Sequence, residues 1–569
     1  MILAWLAAVV ILAAPAPAAL ARDAPAALSW STGDAALDGL APLLAPTLAA
    51  NRKRFRGRSG DVDAFGAGAA YPQVWLRDSA TLVPLTRWLY PRAALTTWIE
   101  EHLLAQQGDG ALFDWIAAGE AARFREWAPR ARDVFRAGAV VLSADANTTE
   151  ADQEASAVRA AYRAFLATGD VAWLARPLGG QPLLRRLERA LGHVWNARRD
   201  ARSGLIVNAL TADWGDVSPA WPDQRAIYLD DATPRAVGLY TNALFVQAAR
   251  DLARLCAHAG DAAGAARWQG RADAVGASLA SLLWQEPRGF LRMHVPLTPE
   301  LARGFPDTSD VFALGGHAHA LLAGLLTPER AARVLDVAER RRREHGLASI
   351  GAVLLPPLPD GAFRHPVMAR AWQYQNGGQW DWIAGRFLLA AYEAGDSERA
   401  TRWFAALARR VTRSGGLFEW YGRDGRGQGS ATYAGSAAAL GQAAVEGLFG
   451  VSLELQRLDL RVRLGGRDGA ITLVQPATGT RVAYRQTYQR AARRLRLEVT
   501  SDARTPGTLA LRLPPGTRAA AAELDGAPVT WRVETVGQDA FAVIDGVAWG
   551  RPRRVELRLA PGARRAVAP

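Results

Sequence analysis

The sequence predicts an all-α toroid of six helical hairpins, an (α/α)6 barrel, followed by a C-terminal β-sandwich. Three observations lead to this fold class. About twelve amphipathic helices, recognised by apolar residues spaced i, i+3, i+4 and i+7, occupy residues 35–450. The longer loops, rich in Trp, Asp, Glu, Asn and Gly, fall before every second helix. From residue 451 onwards, short runs with period-two alternation replace the helical pattern.

The composition of the 569 residues restricts the class of protein. Hydrophobic residues make up 50% and charged residues 22%, which is typical of a globular chain and excludes a disordered or collagen-like protein. The formal charge is +13, but Lys53 is the only lysine and the arginines are scattered along the chain. Because a nucleic-acid-binding protein concentrates its positive charge in a patch or stripe, we expect no nucleic-acid partner.

The N-terminal residues predict export from the cytoplasm. Residues 1–14 form an apolar run of signal-peptide length, and the small-residue stretch Ala19-Leu20-Ala21 follows it. We therefore expect a signal peptide over residues 1–21, cleavage after Ala21, a periplasmic or secreted protein, and no stable membrane partner after cleavage. The run has no basic residue at its start, so an uncleaved membrane anchor is the alternative.

The helices and their loops define a predicted catalytic domain, residues 22–450. If the even-numbered helices formed an inner ring, the six polar loops before them would converge on a pocket at one end of the toroid. A solenoid of helix pairs would instead show similarity between repeats, and the sequence has none. We expect the helices at 35–52, 78–89, 91–105, 150–167, 181–197, 236–258, 262–284, 310–325, 327–345, 379–394, 396–413 and 434–448.

Residues 451–569 are expected to form a small β-sandwich accessory domain that packs on the toroid. Runs such as RVAYRQTY (481–488) and VTWRVETV (529–536) have strand character, and Asp525-Gly526 is a typical hairpin turn. No constellation of reactive residues lies in this part of the sequence, so the predicted chemistry belongs to the helical domain.

Carboxylates remain as the candidate catalytic groups once sites built on thiols and histidines are excluded. Cys256 is the only cysteine, which excludes an intrachain disulfide and a cysteine-based zinc site. The eight histidines lack metal-ligand spacing, since His317 and His319 would face different sides of a helix. The sequence has no nucleophile elbow, Walker loop or dinucleotide-binding fingerprint. We therefore expect no metal ion and no cofactor.

Two segments combine carboxylates with tryptophan: Asp213-Trp214-Gly215-Asp216 and Glu419-Trp420. Sugar rings present apolar C–H faces and hydroxyl edges, so sugar-binding pockets combine aromatic platforms with carboxylates, amides and arginines. Glycoside hydrolysis needs one protonated carboxyl group at the leaving oxygen and a second carboxylate. Six of the 20 tryptophans fall in or beside the converging loops: Trp75, Trp214, Trp221, Trp380, Trp382 and Trp420.

Four loop segments carry a resemblance to known enzymes. Trp75-Leu76-Arg77-Asp78-Ser79 resembles the glucoamylase Trp-x-Arg-Asp-Ser segment, and Trp214-Gly215-Asp216 resembles the Trp-x-Asp segment of debranching enzymes and invertases. Residues 375–380 (QNGGQW) resemble the Asn-Gly-x-x-Trp loop of the debranching group, and Glu419 precedes the last helix. Residues 30–450 therefore resemble the six-hairpin glycosidases, which include glucoamylases, trehalases, glycogen-debranching glucosidases, neutral invertases, and the mannosyl-oligosaccharide and mannosylglycerate glucosidases.

The resemblance implies an inverting exo-glycosidase that releases a terminal sugar from an oligosaccharide or glycoside. Asp216 would be the general acid, its pKa raised by partial burial against Trp214 and Trp221, with Asp213 as the reserve acid. Glu419 would be the general base that holds the attacking water. The residues expected to bind substrate are Trp75, Arg77, Asp78, Gln153, Glu154, Trp214, Asn376, Gln379, Trp380, Asp381 and Trp420.

Two other functions compete with this hypothesis. A polysaccharide lyase or unsaturated-uronyl hydrolase on the same toroid would fit the arginine excess and would use a base such as Tyr421 or Tyr433. A non-catalytic carbohydrate-binding envelope protein would have lost one of the two carboxylates, and neither is lost. For the enzyme hypothesis, Arg77→Ala is expected to impair turnover and to leave thermal stability nearly unchanged.

Overall fold

The computed structural model describes residues 28–126, 128–146, 149–219, 229, 233–297 and 304–562. The predicted signal peptide and Trp221 lie outside these residues. Within them, no helix is both long and apolar enough to cross a membrane. The helices of nine or more residues in this part of the chain are α1 (Ala41–Ala50), α2 (Leu76–Thr86), α3 (Arg92–Leu104), α4 (Gln153–Thr168), α5 (Leu183–Ala197), α6 (Leu239–His258), α7 (Ala262–Leu283), α8 (Leu314–Leu322), α9 (Pro328–Glu344), α10 (Asp381–Glu393), α11 (Ser397–Ser414) and α12 (Ala434–Gln442).

The six even-numbered helices contact one another in a closed cycle: α2 with α4, α4 with α6, α6 with α8, α8 with α10, α10 with α12, and α12 with α2. Burial distinguishes them from the outer helices. In α4, 13 of 16 residues are buried, whereas in α9 only 5 of 17 are, along one face. Close packing within the ring needs small residues, since a Cβ on Gly385 of α10 would lie 2.5 Å from the backbone of Ala439 in α12. The inner helices therefore form a closed ring of contacts, which is consistent with the predicted toroid.

In the described part of the chain, side-chain caps occur at three of the six outer helices and not at α1, α3 or α5. The outer helices α7, α9 and α11 are capped by Asp261, Thr327 and Asp396, whose side chains accept hydrogen bonds from backbone N–H groups of the first turn. Among the described residues, no inner helix has a side-chain cap of this kind on the residue that precedes it. The N–H groups at these ends of the inner helices are therefore available to side chains from other loops.

Short sheets brace the loops that lead into the inner helices, and the sequence analysis missed them. Their strands are two to six residues long, too short for alternation to reveal them. They form a four-stranded sheet (Val74–Trp75, Trp115–Ala118, Val140–Asp145, Arg132–Ala137), a three-stranded sheet (Val207–Ala209, Arg235–Gly238, His294–Pro296), and strand pairs Arg52–Arg56 with Asp61–Phe65, Pro177–Leu178 with Gln181–Pro182, Trp284–Gln285 with Phe290–Leu291, Phe312–Ala313 with Leu354–Leu355, and Trp420–Tyr421 with Gly427–Gln428.

The β-domain consists of two sheets. In pairing order, the first contains Leu28–Ser31, Gly469–Gln475, Thr480–Gln489, Arg494–Ser501, Arg553–Pro561, Thr517–Leu524 and Ala527–Pro528, and the second contains Val451–Glu454, Arg457–Val462, Gly507–Arg512, Asp539–Val547 and Arg532–Val536. Leu28–Ser31 pairs antiparallel with Gly469–Gln475. The predicted division after residue 450 therefore misassigns this N-terminal strand, because four residues carry too little alternation to be recognised.

The β-domain packs closely on the toroid at the turn between α10 and α11. Gly395 in this turn has a φ of +77°, and a Cβ there would lie 1.9 Å from the carbonyl oxygen of Val536. Asp539 accepts hydrogen bonds from the hydroxyl of Ser397 (2.5 Å) and from its backbone N–H (3.2 Å). The same carboxylate pairs with the buried Arg512 at 2.7 Å. Backbone contact and buried charge together join the two parts of the chain.

Candidate active site

Arg77, in the first turn of α2, joins three of the loops that lead into the inner helices. Its guanidinium donates to both carboxylate oxygens of Asp152 (2.6 and 3.1 Å) and to Asp216 (Nη1–Oδ1 2.6 Å), and it pairs with Glu150 (Nη2–Oε2 2.9 Å). Burial would lower the pKa of Arg77, but the three carboxylates raise it well above its ordinary value. The loops before α2, α4 and α6 therefore converge on one buried cation.

Asp216 reaches this cluster from the loop before α6. Its side chain is 29% exposed, whereas Trp214 in the same loop is buried. The amide of Gln375, from the loop before α10, accepts a hydrogen bond from the backbone N–H of Asp216 (3.1 Å) and donates one to its Oδ2 (3.4 Å). The predicted general acid is therefore partly exposed and paired with an arginine, and Trp221, one of its two expected aromatic neighbours, lies outside the described residues.

Glu419 comes from the loop before α12 and is only 6% exposed. Its Oε2 accepts hydrogen bonds from the hydroxyl of Tyr71 (3.0 Å) and from the backbone N–H of Ser430 (3.1 Å). Burial raises the pKa of Glu419 to about 7 against the effect of these hydrogen bonds, and the negative charges of Asp78 and Asp216 act in the same direction as burial. The two predicted catalytic carboxylates are therefore electrostatic neighbours.

Asp78, also in the first turn of α2, adds a further carboxylate. The hydroxyl of Tyr433 donates to its Oδ1 at 2.6 Å. Burial raises the pKa of Asp78, and the charge of Asp216 contributes to the increase. Burial also raises the pKa of Tyr374, and the negative charges of Glu419 and Asp216 raise it further. This tyrosine, from the loop before α10, therefore lies near both carboxylates. Carboxylates and tyrosines from four loops thus share one pocket.

Tryptophans from three loops form the aromatic part of the pocket. The ring of Trp214 meets those of Trp380 and Trp382 edge-to-face, with centroids 5.6 and 5.5 Å apart. Tyr374 lies edge-on to Trp380 at 5.1 Å and to the half-buried Trp420 at 6.3 Å. The structure therefore brings Trp214, Trp380 and Trp382 together and links them to Trp420 through Tyr374.

Two further predicted contacts lie beside the Arg77 cluster. Trp75 precedes α2, is half-buried, and packs against Trp115 with ring centroids 6.2 Å apart. Gln153, the first residue of α4, donates a hydrogen bond to Glu150 at 2.6 Å. Its amide therefore supports a carboxylate of the cluster.

Asp213, the reserve acid of the sequence analysis, has a different environment from Asp216. It is 1% exposed, has a φ of +52°, and its Oδ2 accepts a hydrogen bond from the backbone N–H of Gly316 at 3.0 Å. Burial raises its pKa to about 7, offset by hydrogen bonds from Gly315 and Gly316. Asp213 thus caps the N-terminus of α8, and Asp216 is the carboxylate of this loop that meets Arg77.

Three predicted substrate contacts at the start of α10 are directed into the protein. Asn376 exchanges hydrogen bonds with the backbone N–H (2.8 Å) and carbonyl (3.1 Å) of Leu358. Oε1 of Gln379 accepts a hydrogen bond from Arg410 at 2.6 Å, and Asp381 forms an ion pair with the same arginine. All three side chains are buried. They hold the loop in place instead of lining the pocket, because internal partners already bind their polar groups.

Glu154 also differs from the prediction. Its Oε1 accepts a hydrogen bond from the backbone N–H of Leu112 at 3.0 Å. Burial raises the pKa of Glu154, and the charge of Arg198 opposes this increase. Because Leu112 follows α3, the carboxylate connects α4 to that loop and not to the Arg77 cluster.

Several pocket residues escaped the sequence analysis. Most lie inside the segments 71–80, 146–156 and 374–387, whose polar and aromatic composition predicts a site without showing which side chains face it. The guanidinium of Arg386 lies 4.2 Å from the ring centroid of Trp382. Its positive charge opposes the rise in the pKa of Asp78. The missed residues are Tyr71, Glu150, Tyr374, Gln375 and Arg386.

One group among the described residues brings three potential metal ligands within 4.8 Å of one another: Glu188, Cys256 and Asp261. It lies outside the pocket. Glu188 is already paired with Arg185 and with Arg267. Burial raises the pKa of the Cys256 thiol to about 12, so the sulfur is protonated at neutral pH. These neighbours favour an ion-paired cluster over a metal site.

Comparisons with known proteins find likeness in structure only. No protein-family model matches the sequence, and no curated protein matches it. A GH78 family rhamnosidase of a Bacillus species has 17% identity and a TM-score of 0.56 over 84% of this chain and 42% of that chain. A protein described as a sialidase has 12% identity and a TM-score of 0.58 over 92% and 42%. A GH63 mannosylglycerate hydrolase from Thermus thermophilus has 17% identity and a TM-score of 0.50 over 70% and 98%.

The chain spans less than half the length of the rhamnosidase and of the sialidase. The match to the GH63 hydrolase, in contrast, covers nearly the whole of that chain. These likenesses cover 70% to 92% of this chain. The protein therefore has the fold of the six-hairpin glycoside hydrolases, as its resemblance to them predicts.

Proposed function

We propose that this protein is an (α/α)6-barrel glycoside hydrolase that acts from the chain end, inverts the anomeric configuration, and releases a terminal sugar from an oligosaccharide or glycoside. The observation that carries the proposal is the electrostatic proximity of Asp216 and Glu419, from separate loops, beside Arg77, Asp78 and an aromatic cluster. Hydrolysis of a glycoside needs two carboxyl groups across the sugar, roughly 6.5–9.5 Å apart in inverting enzymes so that water fits between them.

Asp216 is the general acid and Glu419 the general base in this proposal. Asp216 donates a proton to the glycosidic oxygen as the C1–O bond breaks. The electron pair of that bond stays on the oxygen. Glu419 takes a proton from the water that attacks C1 from the opposite face, so the product has the inverted configuration. Tyr71 and Ser430 bind Oε2 of Glu419, which assigns Oε1 to the water.

Substrate binding would change the contacts of Asp216. Sugar hydroxyl groups that bind Arg77 and Asp78 can replace the hydrogen bond between Arg77 and Asp216, because charged groups form strong hydrogen bonds with hydroxyls. The charge of Asp216 helps to raise the pKa of Glu419, so the two carboxyl groups interact electrostatically. Release from Arg77 would free Oδ1 of Asp216 for contact with the glycosidic oxygen.

The charge of the pocket supports a neutral sugar rather than a uronate. A uronate would meet an excess of negative charge, which repels it. The described carboxylates of the pocket are Asp78, Glu150, Asp152, Asp216 and Glu419, and the described cations are Arg77 and Arg386.

The tyrosines considered as bases for a lyase are engaged elsewhere. The hydroxyl of Tyr421 donates to the carbonyl of Gly416 at 3.1 Å, and that of Tyr433 donates to Asp78. Both hydroxyls therefore act as hydrogen-bond donors within the protein, and a lyase base must be free to accept a proton. These contacts favour hydrolysis over elimination.

We also propose that the protein is exported to the periplasm or secreted, with residues 1–21 removed. The apolar run and the small residues that end at Ala21 support this proposal. N-terminal sequencing of the protein recovered from its native compartment tests it. A mature chain that begins at Arg22 would support export with cleavage, and an intact Met1 in the membrane fraction would favour the anchor.

The reaction is tested by incubating the purified protein with a panel of α- and β-linked glycosides while proton NMR follows the anomer that forms first. Asp216→Asn and Glu419→Gln are assayed in parallel. Asp424→Asn, which removes an exposed carboxylate five residues beyond Glu419, is the matched control. We expect one monosaccharide with inverted configuration, no release by the first two variants, and release by the control.

Other outcomes point to the competing functions. Turnover only on uronate polymers, with a new absorbance from a carbon–carbon double bond, would replace the hydrolase by a lyase. Saturable sugar binding without turnover, unchanged in both carboxylate variants, would indicate a carbohydrate-binding protein. First appearance of the retained anomer would refute inversion.

A further inference from the structure

We propose that Gln375 is a positioning residue for Asp216, an inference that rests on the proposed function. One buried amide makes two contacts with Asp216 across 159 residues of sequence. Its Oε1 accepts a hydrogen bond from the backbone N–H of Asp216 at 3.1 Å, and its Nε2 donates to Oδ2 at 3.4 Å. Because one contact holds the backbone and the other holds the carboxylate, the amide restricts both the place and the rotation of the acid.

The backbone contact determines which way the amide of Gln375 points. A backbone N–H can only donate, so the amide atom that faces it is the oxygen. The nitrogen is then turned towards Oδ2 of Asp216. Oδ1 is bound by Arg77 at 2.6 Å, so each carboxylate oxygen of Asp216 has a donor from a different loop.

The chain on both sides of this contact is shaped to admit the amide. Tyr374 has a φ of +45°, a conformation that a bulky residue adopts only under constraint. Asn376 is anchored to the backbone of Leu358. In the facing loop, a Cβ on Gly215 would lie 2.8 Å from Oε1 of Gln375, so the absence of a side chain makes room for it. The buried Asn376 thus acts on the site through Gln375.

A residue that positions the acid affects substrates according to their leaving groups. A phenyl glycoside needs protonation of its glycosidic oxygen, whereas 2,4-dinitrophenolate departs without it. Loss of the Nε2 donor should therefore slow hydrolysis of the phenyl glycoside and spare that of the dinitrophenyl glycoside. A residue that only stabilises the fold would affect both equally.

Gln375→Glu keeps the size and the accepting oxygen, and it replaces the donor by a carboxylate oxygen that adds negative charge. Gln375→Met removes both contacts without adding charge. On the phenyl glycoside of the sugar that the wild-type protein releases, we expect kcat to fall about 100-fold with little change in KM. On the dinitrophenyl glycoside, kcat should stay within about threefold. The alkaline limb of the pH–rate profile should shift to higher pH in both variants, since the ionised carboxylate of Asp216 loses a hydrogen-bond donor.

Gln486→Met is the control for the loss of a buried amide, because Gln486 binds only the carbonyls of Gly465 and Arg467 in the β-domain. Its leaving-group dependence and its alkaline limb should match those of the wild type. Equal losses on both glycosides in the Gln375 variants, or an unmoved alkaline limb, would overturn the positioning role.

Asp216→Asn separates this inference from the proposed function. If Asp216→Asn retains turnover of the phenyl glycoside, the assignment of the acid fails, and the role of Gln375 fails with it. If Asp216→Asn is inactive and both Gln375 variants behave as the wild type, only the role of Gln375 is overturned.

Discussion

Replacing Glu419 by glutamine should abolish turnover and should also stabilise the protein above neutral pH. Burial raises the pKa of Glu419 from its ordinary value of 4.5 to about 7. A carboxyl group with a raised pKa contributes stability that is fully present below about pH 4.5 and is lost as the pH rises through about 7. Glutamine is neutral throughout this range, so the variant does not lose that contribution.

The magnitude follows from the two pKa values. Each unit between them corresponds to about 1.36 kcal/mol, so ionisation of Glu419 costs the folded state about 3 kcal/mol at about pH 8.5. The hydrogen bonds from Tyr71 and Ser430 are already part of this raised pKa. With an entropy of unfolding of about 2.1 cal/mol/K per residue, the cost corresponds to about 3 °C in Tm for a chain of this length.

Differential scanning calorimetry of Glu419→Gln and the wild type from about pH 4 to about pH 8.5 tests this reasoning. The difference in Tm should grow by about 3 °C across the range, mostly between about pH 4.5 and 7. Asp424→Asn shows what the loss of an exposed carboxylate in the same loop does. A difference that is constant, or that grows towards low pH, would refute the argument.

Arg77→Ala should reduce stability as well as turnover, contrary to the expectation from the sequence, because the buried Glu150 and Asp152 and the partly exposed Asp216 lose a shared cation; we expect a loss of about 3–5 kcal/mol in denaturant titration, and an unchanged midpoint would contradict it. Gly395→Ala should lower the free energy of unfolding by well over the roughly 1–2 kcal/mol that a positive φ costs a residue with a Cβ, because the new Cβ would overlap the carbonyl of Val536. Gly415→Ala, at a φ of +75° with open space around it, is the matched control, and equal costs would argue against the close contact. The value of kcat/KM should rise with pH through about 7, because the base Glu419 must be ionised; a profile that is flat between about pH 5 and 8 would exclude Glu419 as the base.

Helices are the part of the fold that the sequence predicts most closely. The predicted helices 262–284 and 396–413 agree within one residue with Ala262–Leu283 and Ser397–Ser414, because apolar spacing is a property of neighbouring residues. The strand Leu28–Ser31 escapes prediction because it is short and its partner, Gly469–Gln475, lies more than 400 residues further along the chain.

The candidate site shows the same division. The sequence by itself determined the loops and the chemistry they carry, and it singled out Asp216 and Glu419 as a pair. Only the tertiary structure distinguishes the environments of Asp213 and Asp216, which lie three residues apart: the first caps α8 and the second pairs with Arg77. It also directed Asp381 into the core. The physical reason is that periodicity and composition depend on local neighbours, whereas the partner of a polar side chain is supplied by groups from other loops.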